Sequence, residues 1–231
     1  MERQWGLWGI WLGFIIYVLV GAPSGLPGTA NLVQTLLSGQ IPWINPVIIS
    51  LFSLVGIWLL IYSCLVFVDG RMQRLPAWAF MLASVATGIL GLIPYLALRQ
   101  PNQDFSGPKD GWLSLLESRL MAVTLVISTV MLLAFALLLG DWPAYFEAFR
   151  TNKFVHGMSV ALVIFALVFP YPTLLKDDMA RRGLSSESAL FRWVALVPLF
   201  GPLAYLCLRP PLLSQRRSQN QGRTAALTSN R

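Results

Sequence analysis

The segment Gly201-Pro202-Leu203-Ala204-Tyr205-Leu206-Cys207-Leu208-Arg209-Pro210-Pro211 closes the last apolar run of this chain, and an earlier segment repeats it. The earlier copy is Gly91-Leu92-Ile93-Pro94-Tyr95-Leu96-Ala97-Leu98-Arg99-Gln100-Pro101, in which Gly, Tyr, Leu, Leu, Arg and Pro coincide at a constant offset of 110 residues. Upstream, Met72-Gln73-Arg74 echoes Met179-Ala180-Arg181. Each copy therefore reads as an apolar run, a charged turn, a second apolar run and an Arg-then-Pro stop, which predicts a helical hairpin that occurs twice.

Composition places the chain in a membrane. Hydrophobic residues make up 56% of its 231 residues and charged residues only 12%, whereas a soluble domain carries about 25% charged residues. Several charge-free runs reach the roughly 18 residues that a helix needs to cross a bilayer. We therefore expect an all-α, polytopic transmembrane helical bundle.

Six apolar runs are candidate spans, and they lie near residues 5–21, 45–68, 77–98, 120–139, 154–175 and 190–208. They predict a single transmembrane domain over residues 1–211, with a short interfacial helix at Ala30–Leu37 and a basic, disordered tail at 212–231. The first run could instead be a cleaved signal peptide. Its 17 residues, Pro23 after the candidate cleavage site and three tryptophans favour a retained span.

Lysine and arginine counts favour a cytoplasmic location for both termini, because six spans would leave ten of these residues inside and seven outside. One span would lie between the two hairpins, so they would enter the membrane in opposite directions. The echo would then be an inverted-topology repeat, as in many transporters. The alternative is convergence, since a Tyr belt, a snorkelling Arg and a Pro stop suit the end of any span.

The formal net charge of +7 fits basic loops that face anionic lipid better than it fits nucleic acid, and we expect no nucleic-acid partner. Cys64 and Cys207 lie in apolar runs and are interpreted as small buried side chains rather than as a disulfide or metal pair.

The middle of each of the six apolar runs contains no Asp, Glu, Lys or Arg. Such residues mark ion paths and proton relays at membrane depth, so the sequence argues against an ion-coupled transporter and an intramembrane hydrolase. The charged turns at 69–74 and 176–183 resemble part of the Asp-Gly-x-x-Ala-Arg motif of CDP-alcohol phosphotransferases, but both lack the downstream aspartates that hold metal and diphosphate. We interpret them as turns whose charges stay in water and pair locally.

His156 is the only histidine. One imidazole in an apolar pocket could be an axial ligand of haem or of chlorophyll magnesium, which is the only cofactor hypothesis that the sequence raises. An interfacial histidine without a ligand role is the favoured interpretation. No second histidine or cysteine lies at zinc-ligand spacing, so no metal site is expected.

The last third of the chain is similar to uncharacterised multi-spanning membrane proteins of cyanobacteria and plastids. The segments that carry the resemblance are Asp141–Tyr145, Phe149-Arg150, Phe154–Ser159, Phe169-Pro170, Asp177–Gly183 and Pro198–Pro202. The resemblance implies a thylakoid, envelope or bacterial plasma membrane and partners among photosynthetic pigment-protein complexes. It implies no catalytic residue.

Three functions remain open at this stage. The first is a non-catalytic integral membrane protein that binds or helps to assemble other membrane components. The second is a transporter or channel for a neutral or lipophilic solute, and the third, least supported, is a membrane enzyme that acts on lipid. The candidate interaction residues lie in the first span, the aromatic segment and the second charged turn, namely Gly9, Gly13, Trp142, Tyr145, Phe149, Asp177, Asp178, Arg181 and Arg182.

Overall fold

The computed structural model of the chain describes residues 2–23, 34, 35, 38, 44–170, 173–185, 194 and 197–213. Within these residues every regular element is a helix, which confirms the all-helical class. Most of the expected interfacial helix Ala30–Leu37 and of the basic tail 212–231 lies outside the described residues.

Ten α-helices are described. In chain order they are α1 Glu2–Ile16, which continues as a π-helical turn Tyr17–Gly21, α2 Pro46–Gly70, α3 Ala77–Thr87, α4 Ile89–Leu98, α5 Gly111–Leu116, α6 Arg119–Leu139, α7 Trp142–Thr151, α8 Lys153–Val168, α9 Leu174–Arg181 and α10 Phe200–Leu208. Side-chain caps start several of them, since Asn45, Asp110, Ser118, Asp141 and Asn152 each accept a hydrogen bond from a first-turn amide.

Three described helical segments are long and apolar enough to cross a membrane: Gln4–Gly21, Pro46–Gly70 and Arg119–Leu139. A fourth span results if α7 and α8, which meet at an angle of 100°, are counted as one broken span. The described residues therefore contain three or four candidate membrane spans, and six spans are not confirmed.

The third apolar run folds back on itself instead of continuing as one helix. Gly88, with φ +62°, separates α3 from α4. A Cβ added at Gly91 would lie 2.5 Å from the backbone nitrogen of Ser84, and the Phe80 and Tyr95 rings are 5.7 Å apart. Such contacts across Gly88 require α3 and α4 to pack antiparallel, so the chain returns to the end of the bundle where it entered. Each helix is about 16 Å long, roughly half of a bilayer core.

In the sixth run, too, a short described helix follows a residue with positive φ. Leu199 has φ +65° and precedes α10, as Gly88 precedes α4. At nine residues, α10 is only about 14 Å long and too short to cross a bilayer. The part of this run at residues 190–193, 195 and 196 lies outside the described residues.

Both charged turns lie at one end of the bundle. Asp69, near the end of α2, accepts a hydrogen bond from Arg181, at the end of α9, over 2.6 Å. This contact rules out the inverted arrangement expected from six spans, in which the two turns would face opposite sides. We call this end the charged end.

The opposite end of the bundle carries α7, and we call it the aromatic end. There Asn45 donates a hydrogen bond to the Asp141 carbonyl, so α2 begins and α6 finishes at this end. The side chain of Tyr17 meets His156 near the start of α8, which places the carboxyl end of α1 here too. Accordingly α1 and α6 run towards the aromatic end, and α2 and α8 run towards the charged end.

The core between the ends is built from aromatic side chains of α2 and α8. Trp58 stacks on Phe165 with ring centroids 6.1 Å apart, and Tyr62 donates a hydrogen bond to the Phe165 carbonyl. This packing fixes α2 and α8 beside each other and so brings the two charged turns together.

Candidate functional site

A network of buried charges occupies the charged end. Its first part is centred on Asp69, whose carboxylate accepts four hydrogen bonds: from Tyr95 Oη (2.7 Å), Arg99 Nε (2.8 Å) and Nη2 (2.6 Å), and Arg181 Nη2 (2.6 Å). The side chains of Asp69, Arg99 and Arg181 are completely shielded from solvent. Both arginines therefore depend on protein atoms for partners.

Arg99 links the two copies of the repeat. Its Nη2 donates to Asp177 over 2.6 Å and its Nη1 donates to Thr173 Oγ1 over 2.9 Å. Arg181, in the second copy, donates hydrogen bonds to Asp69 and to the carbonyl of Asn102, which lie in or beside the first copy. Each charged turn thus supplies an arginine or a carboxylate to the other.

The second part of the network is centred on Asp178. Its carboxylate accepts hydrogen bonds from Arg182 Nε (2.9 Å) and Tyr205 Oη (2.6 Å), and Arg209 Nη1 lies 3.8 Å away. Glu117 pairs with both arginines, at 2.6 Å from Arg182 Nη2 and 3.1 Å from Arg209 Nη2. Arg209 also donates to two backbone carbonyls, those of Cys64 and Leu116.

The sequence echo therefore has a structural counterpart. Tyr95 and Arg99 contact Asp69, and their equivalents Tyr205 and Arg209 contact Asp178. The upstream echo is different, because Arg74 is exposed whereas Arg181 is buried. The equivalent acids are thus Asp69 and Asp178, a match that the alignment of Met72 with Met179 obscured.

The network is electrically balanced. It contains four carboxylates (Asp69, Glu117, Asp177 and Asp178) and four guanidinium groups (Arg99, Arg181, Arg182 and Arg209). Three of its buried nitrogens, Arg181 Nε, Arg181 Nη1 and Arg209 Nε, have no hydrogen-bond partner among the described residues. With no excess charge, the network suits a clamp that joins the two copies better than a site for an ion.

These contacts explain the pKa shifts of the titratable groups that lie outside the candidate spans. Burial alone would raise the pKa of Asp178, but the charges of Arg182 and Arg209 outweigh it and hold this pKa below its ordinary value. Burial alone would lower the pKa of Arg182, and the neighbouring Asp178 and Glu117 outweigh it in turn, so that its pKa is raised. Both groups stay charged at neutral pH.

The interpretation of the second charged turn as a solvated surface is not confirmed. Asp177, Asp178, Arg181 and Arg182 are at most 2% exposed. Arg99, which follows α4, pairs with Asp177, and Tyr205 of α10 donates a hydrogen bond to Asp178. Sequence reasoning proposed these four as contact residues and missed their partners Asp69, Arg99, Glu117 and Arg209. The signal that could have revealed them is the pair of tyrosines, Tyr95 and Tyr205, four residues before an arginine in each copy.

His156 lies at the aromatic end and is nearly buried. Its Nδ1 lies 2.8 Å from the Phe149 carbonyl, which can only accept, so Nδ1 carries the proton and Nε2 accepts from Tyr17 Oη at 2.5 Å. The Phe149 ring stacks on the imidazole with centroids 4.3 Å apart. An axial bond to haem or chlorophyll would have to replace one of these hydrogen bonds.

The remaining candidate residues lie on two surfaces. Gly9 and Gly13 are on an exposed face of α1, and a Cβ added at either would meet no atom within 4 Å. Trp142, Tyr145 and Phe149 form an aromatic row along α7, where Tyr145 Oη lies 3.0 Å from Ser159 Oγ. The structure does not bring these two surfaces and the charge network into one site.

Two apolar cavities open between the helices. The larger, about 740 Å³, lies between α2 and α3 and is lined by residues such as Gly56, Leu60, Trp78 and Leu82. The smaller, about 390 Å³, lies among α1, α2, α8 and the tip of the α3–α4 hairpin. We call the smaller cavity the tip recess.

Comparisons with family models, curated proteins and solved structures found no match to the chain. Among the described residues there is also no group of three or more His, Cys, Asp or Glu side chains that could hold a metal ion.

Proposed function

We propose that the protein is a non-catalytic integral membrane protein that binds a transmembrane helix of another membrane protein and thereby takes part in assembly. The observation that carries this proposal is the outward face of α1. Only about a tenth of the Gln4–Gly21 span is buried by the rest of the chain, and Gly9 and Gly13 lie on its free side. A Gly-x-x-x-Gly pair in a spanning helix allows the close backbone approach by which such helices associate.

The rest of this face suits a helix partner. Trp5, Leu12 and Ile16 are all more than half exposed and flank the two glycines along α1. They would surround the close contact with large apolar side chains, and a partner helix would gain dispersion contacts with them that disordered lipid tails provide less well.

The experiment exploits the open space at the glycines. Gly9→Ile and Gly13→Ile add side chains that meet nothing within the protein, so folding should be unaffected while close helix approach is blocked. We expect both variants to lose the partners that copurify with the wild type in mild detergent. Gly56→Ile is the matched control, because Gly56 lies on α2 and also has no atom within 4 Å of an added Cβ.

The identity of the chain that no longer copurifies shows which kind of partner α1 binds. Loss of a second copy of this chain would indicate self-association, whereas loss of a different chain would indicate hetero-assembly. Unchanged copurification in both glycine variants would refute the role of α1. The resemblance to cyanobacterial and plastid proteins makes photosynthetic pigment-protein complexes, in a thylakoid or bacterial plasma membrane, the first partners to test.

We further propose that the charged end, with both termini, faces the cytoplasmic side. Nine described lysines and arginines outside α1 lie at that end: Arg71, Arg74, Arg99, Lys109, Arg119, Lys176, Arg181, Arg182 and Arg209. The aromatic end has two, Arg150 and Lys153. Because the α3–α4 hairpin returns the chain to the charged end, the two ends differ more in lysine and arginine count than the two sides of a six-span arrangement would. This larger difference supports the orientation under the positive-inside rule.

A transporter or channel for a neutral or lipophilic solute is the second candidate, and the two short helices α4 and α10 favour it. Each follows a residue with positive φ and begins within the depth of the bundle, as the broken helices of transporters do. Solute flux through protein reconstituted in liposomes tests this candidate. Flux that persists in Gly9→Ile would separate it from the assembly function.

A further inference from the structure

The tip recess exists because the α3–α4 hairpin fills only half of the bundle's depth. Its floor is the hairpin tip, Val85–Gly88, and its walls come from three spanning helices. Phe14 and Val18 of α1, Phe52 and Val55 of α2 and Phe154 and Met158 of α8 line it. The walls are almost entirely hydrocarbon, and the recess opens on the half of the bilayer at the aromatic end.

Lys153 is the one charged side chain among the described residues that line the tip recess. As the first residue of α8, it stands at the aromatic end, where headgroups lie. Its ammonium makes a long hydrogen bond of 3.4 Å to the Leu19 carbonyl, and none of the described ion pairs involves it. An ammonium has three donors, so it retains the capacity to bind an anion.

We propose that the tip recess binds an anionic phospholipid of the leaflet at the aromatic end, with one acyl chain in the recess and the headgroup phosphate on Lys153. The apolar walls match a hydrocarbon chain, and a single cation at the mouth matches a phosphodiester. Exposed Arg150, in the last turn of α7, adds positive charge at the same end. Gly9 and Gly13 do not line the recess, so this proposal is independent of helix binding by α1.

The headgroup is tested by native mass spectrometry of the intact protein with phosphatidylglycerol and phosphatidylcholine of identical chains. We expect the wild type to retain phosphatidylglycerol preferentially, and Lys153→Gln to reduce that preference roughly fivefold, the effect of one lysine near a membrane surface. Lys176→Gln, which removes an exposed lysine from the charged end, should leave the preference unchanged. Equal retention of the two lipids by the wild type would overturn the phosphate contact.

The acyl-chain site is tested by filling the recess. Gly157 lines it, and a Cβ there makes only an ordinary contact of 3.9 Å with Val18, so Gly157→Leu should fold and should reduce retention of both lipids. Gly56→Leu puts the same side chain into the larger cavity and should not. Full retention in Gly157→Leu would overturn the site.

A second measurement needs no variant. A phosphatidylglycerol with a diazirine in its acyl chain, irradiated with the unmodified protein in vesicles, should label Phe14, Val18 or Met158 among the recess residues. Labelling confined to the outward face of α6, where Val123, Ile127 and Val130 are exposed, would mean bulk lipid only and would overturn the proposal.

Discussion

Replacing Asp69 with asparagine should destabilise the protein far more than the same change at an exposed aspartate. Within the part of the chain that the structure describes, Asp69 is the only carboxylate paired with Arg181, and Arg181 Nε and Nη1 have no partner there. Arg99 would keep Asp177, but Arg181 would become a buried cation with only neutral oxygens, such as the Asn102 carbonyl, to accept its hydrogen bonds. Removing one partner of a buried ion pair costs about 3–5 kcal/mol, or about two to three and a half orders of magnitude in the unfolding equilibrium.

Asp110 provides the matched control. It pairs with Arg71 at the surface, where its side chain is 49% exposed, and it caps α5 through Leu113. Asparagine is as good a cap as aspartate, so Asp110→Asn removes only the exposed ion pair, which is worth about 0–1 kcal/mol. The free energy of unfolding can be measured by tryptophan fluorescence during reversible denaturation in mixed micelles.

A double variant separates charge imbalance from lost packing. Arg181→Met removes the cation that Asp69→Asn leaves unpaired, so the pair of changes should recover a large part of the stability lost in Asp69→Asn. If Asp69→Asn costs no more than Asp110→Asn, or if the double variant is simply the sum of the two single losses, the network does not act as a charge-balanced clamp.

Two further predictions test the folded-back hairpin. Gly91→Ala should destabilise the protein by about 1–3 kcal/mol, because its Cβ would lie 2.5 Å from the backbone nitrogen of Ser84. Gly56→Ala is the control, since its Cβ would meet no atom within 4 Å. Equal denaturation curves for the two variants would mean that α3 and α4 do not pack as described. The second prediction uses single cysteines at exposed positions, in a background without Cys64 and Cys207. Arg74→Cys and Lys176→Cys should react with an impermeant maleimide from the same side of the membrane, and Glu147→Cys should react from the other side. Labelling of Arg74→Cys and Lys176→Cys from opposite sides would instead support the inverted repeat.

The membrane class and the long helices could be predicted because they depend on local composition. The run expected at 45–68 is the helix Pro46–Gly70, and the run at 120–139 is Arg119–Leu139. The length of a charge-free run and the capping residue beside it both depend only on residues that are close together in the sequence. The paired Tyr and Arg of the echo were likewise visible in the sequence.

The reversals could not be predicted from the same patterns. A turn at a protein surface is marked by polar residues, but the tip of a hairpin within the bundle lies among hydrocarbon and can be apolar. Gly88 is a weak signal for such a turn, since a glycine can occur within a spanning helix. Leu199 gives no compositional signal at all, because a leucine with φ +65° is stabilised only by its tertiary surroundings.

Burial of Asp69 and of the second charged turn was missed for a related reason. Local sequence shows that Asp177 and Arg181 are polar, and polar turns usually face water. Their burial depends on Asp69 and Arg99, which lie more than 70 residues away in the chain. Only the folded chain shows that four acids and four arginines meet and neutralise one another.

The charge network can form because an even number of helices crosses the bundle between the two charged turns. Because α3 and α4 return the chain to the charged end, only α6 and α8 of the described helices cross between the first charged turn and the second, and an even number of crossings places both turns at the same end. That placement lets Arg99 pair with Asp177 and Arg181 pair with Asp69. In an inverted repeat the same residues would be separated by the bilayer, and Arg181 would have no distant carboxylate to balance it. The echo in the sequence therefore supports a tandem repeat, joined by ion pairs that neither copy could form with itself.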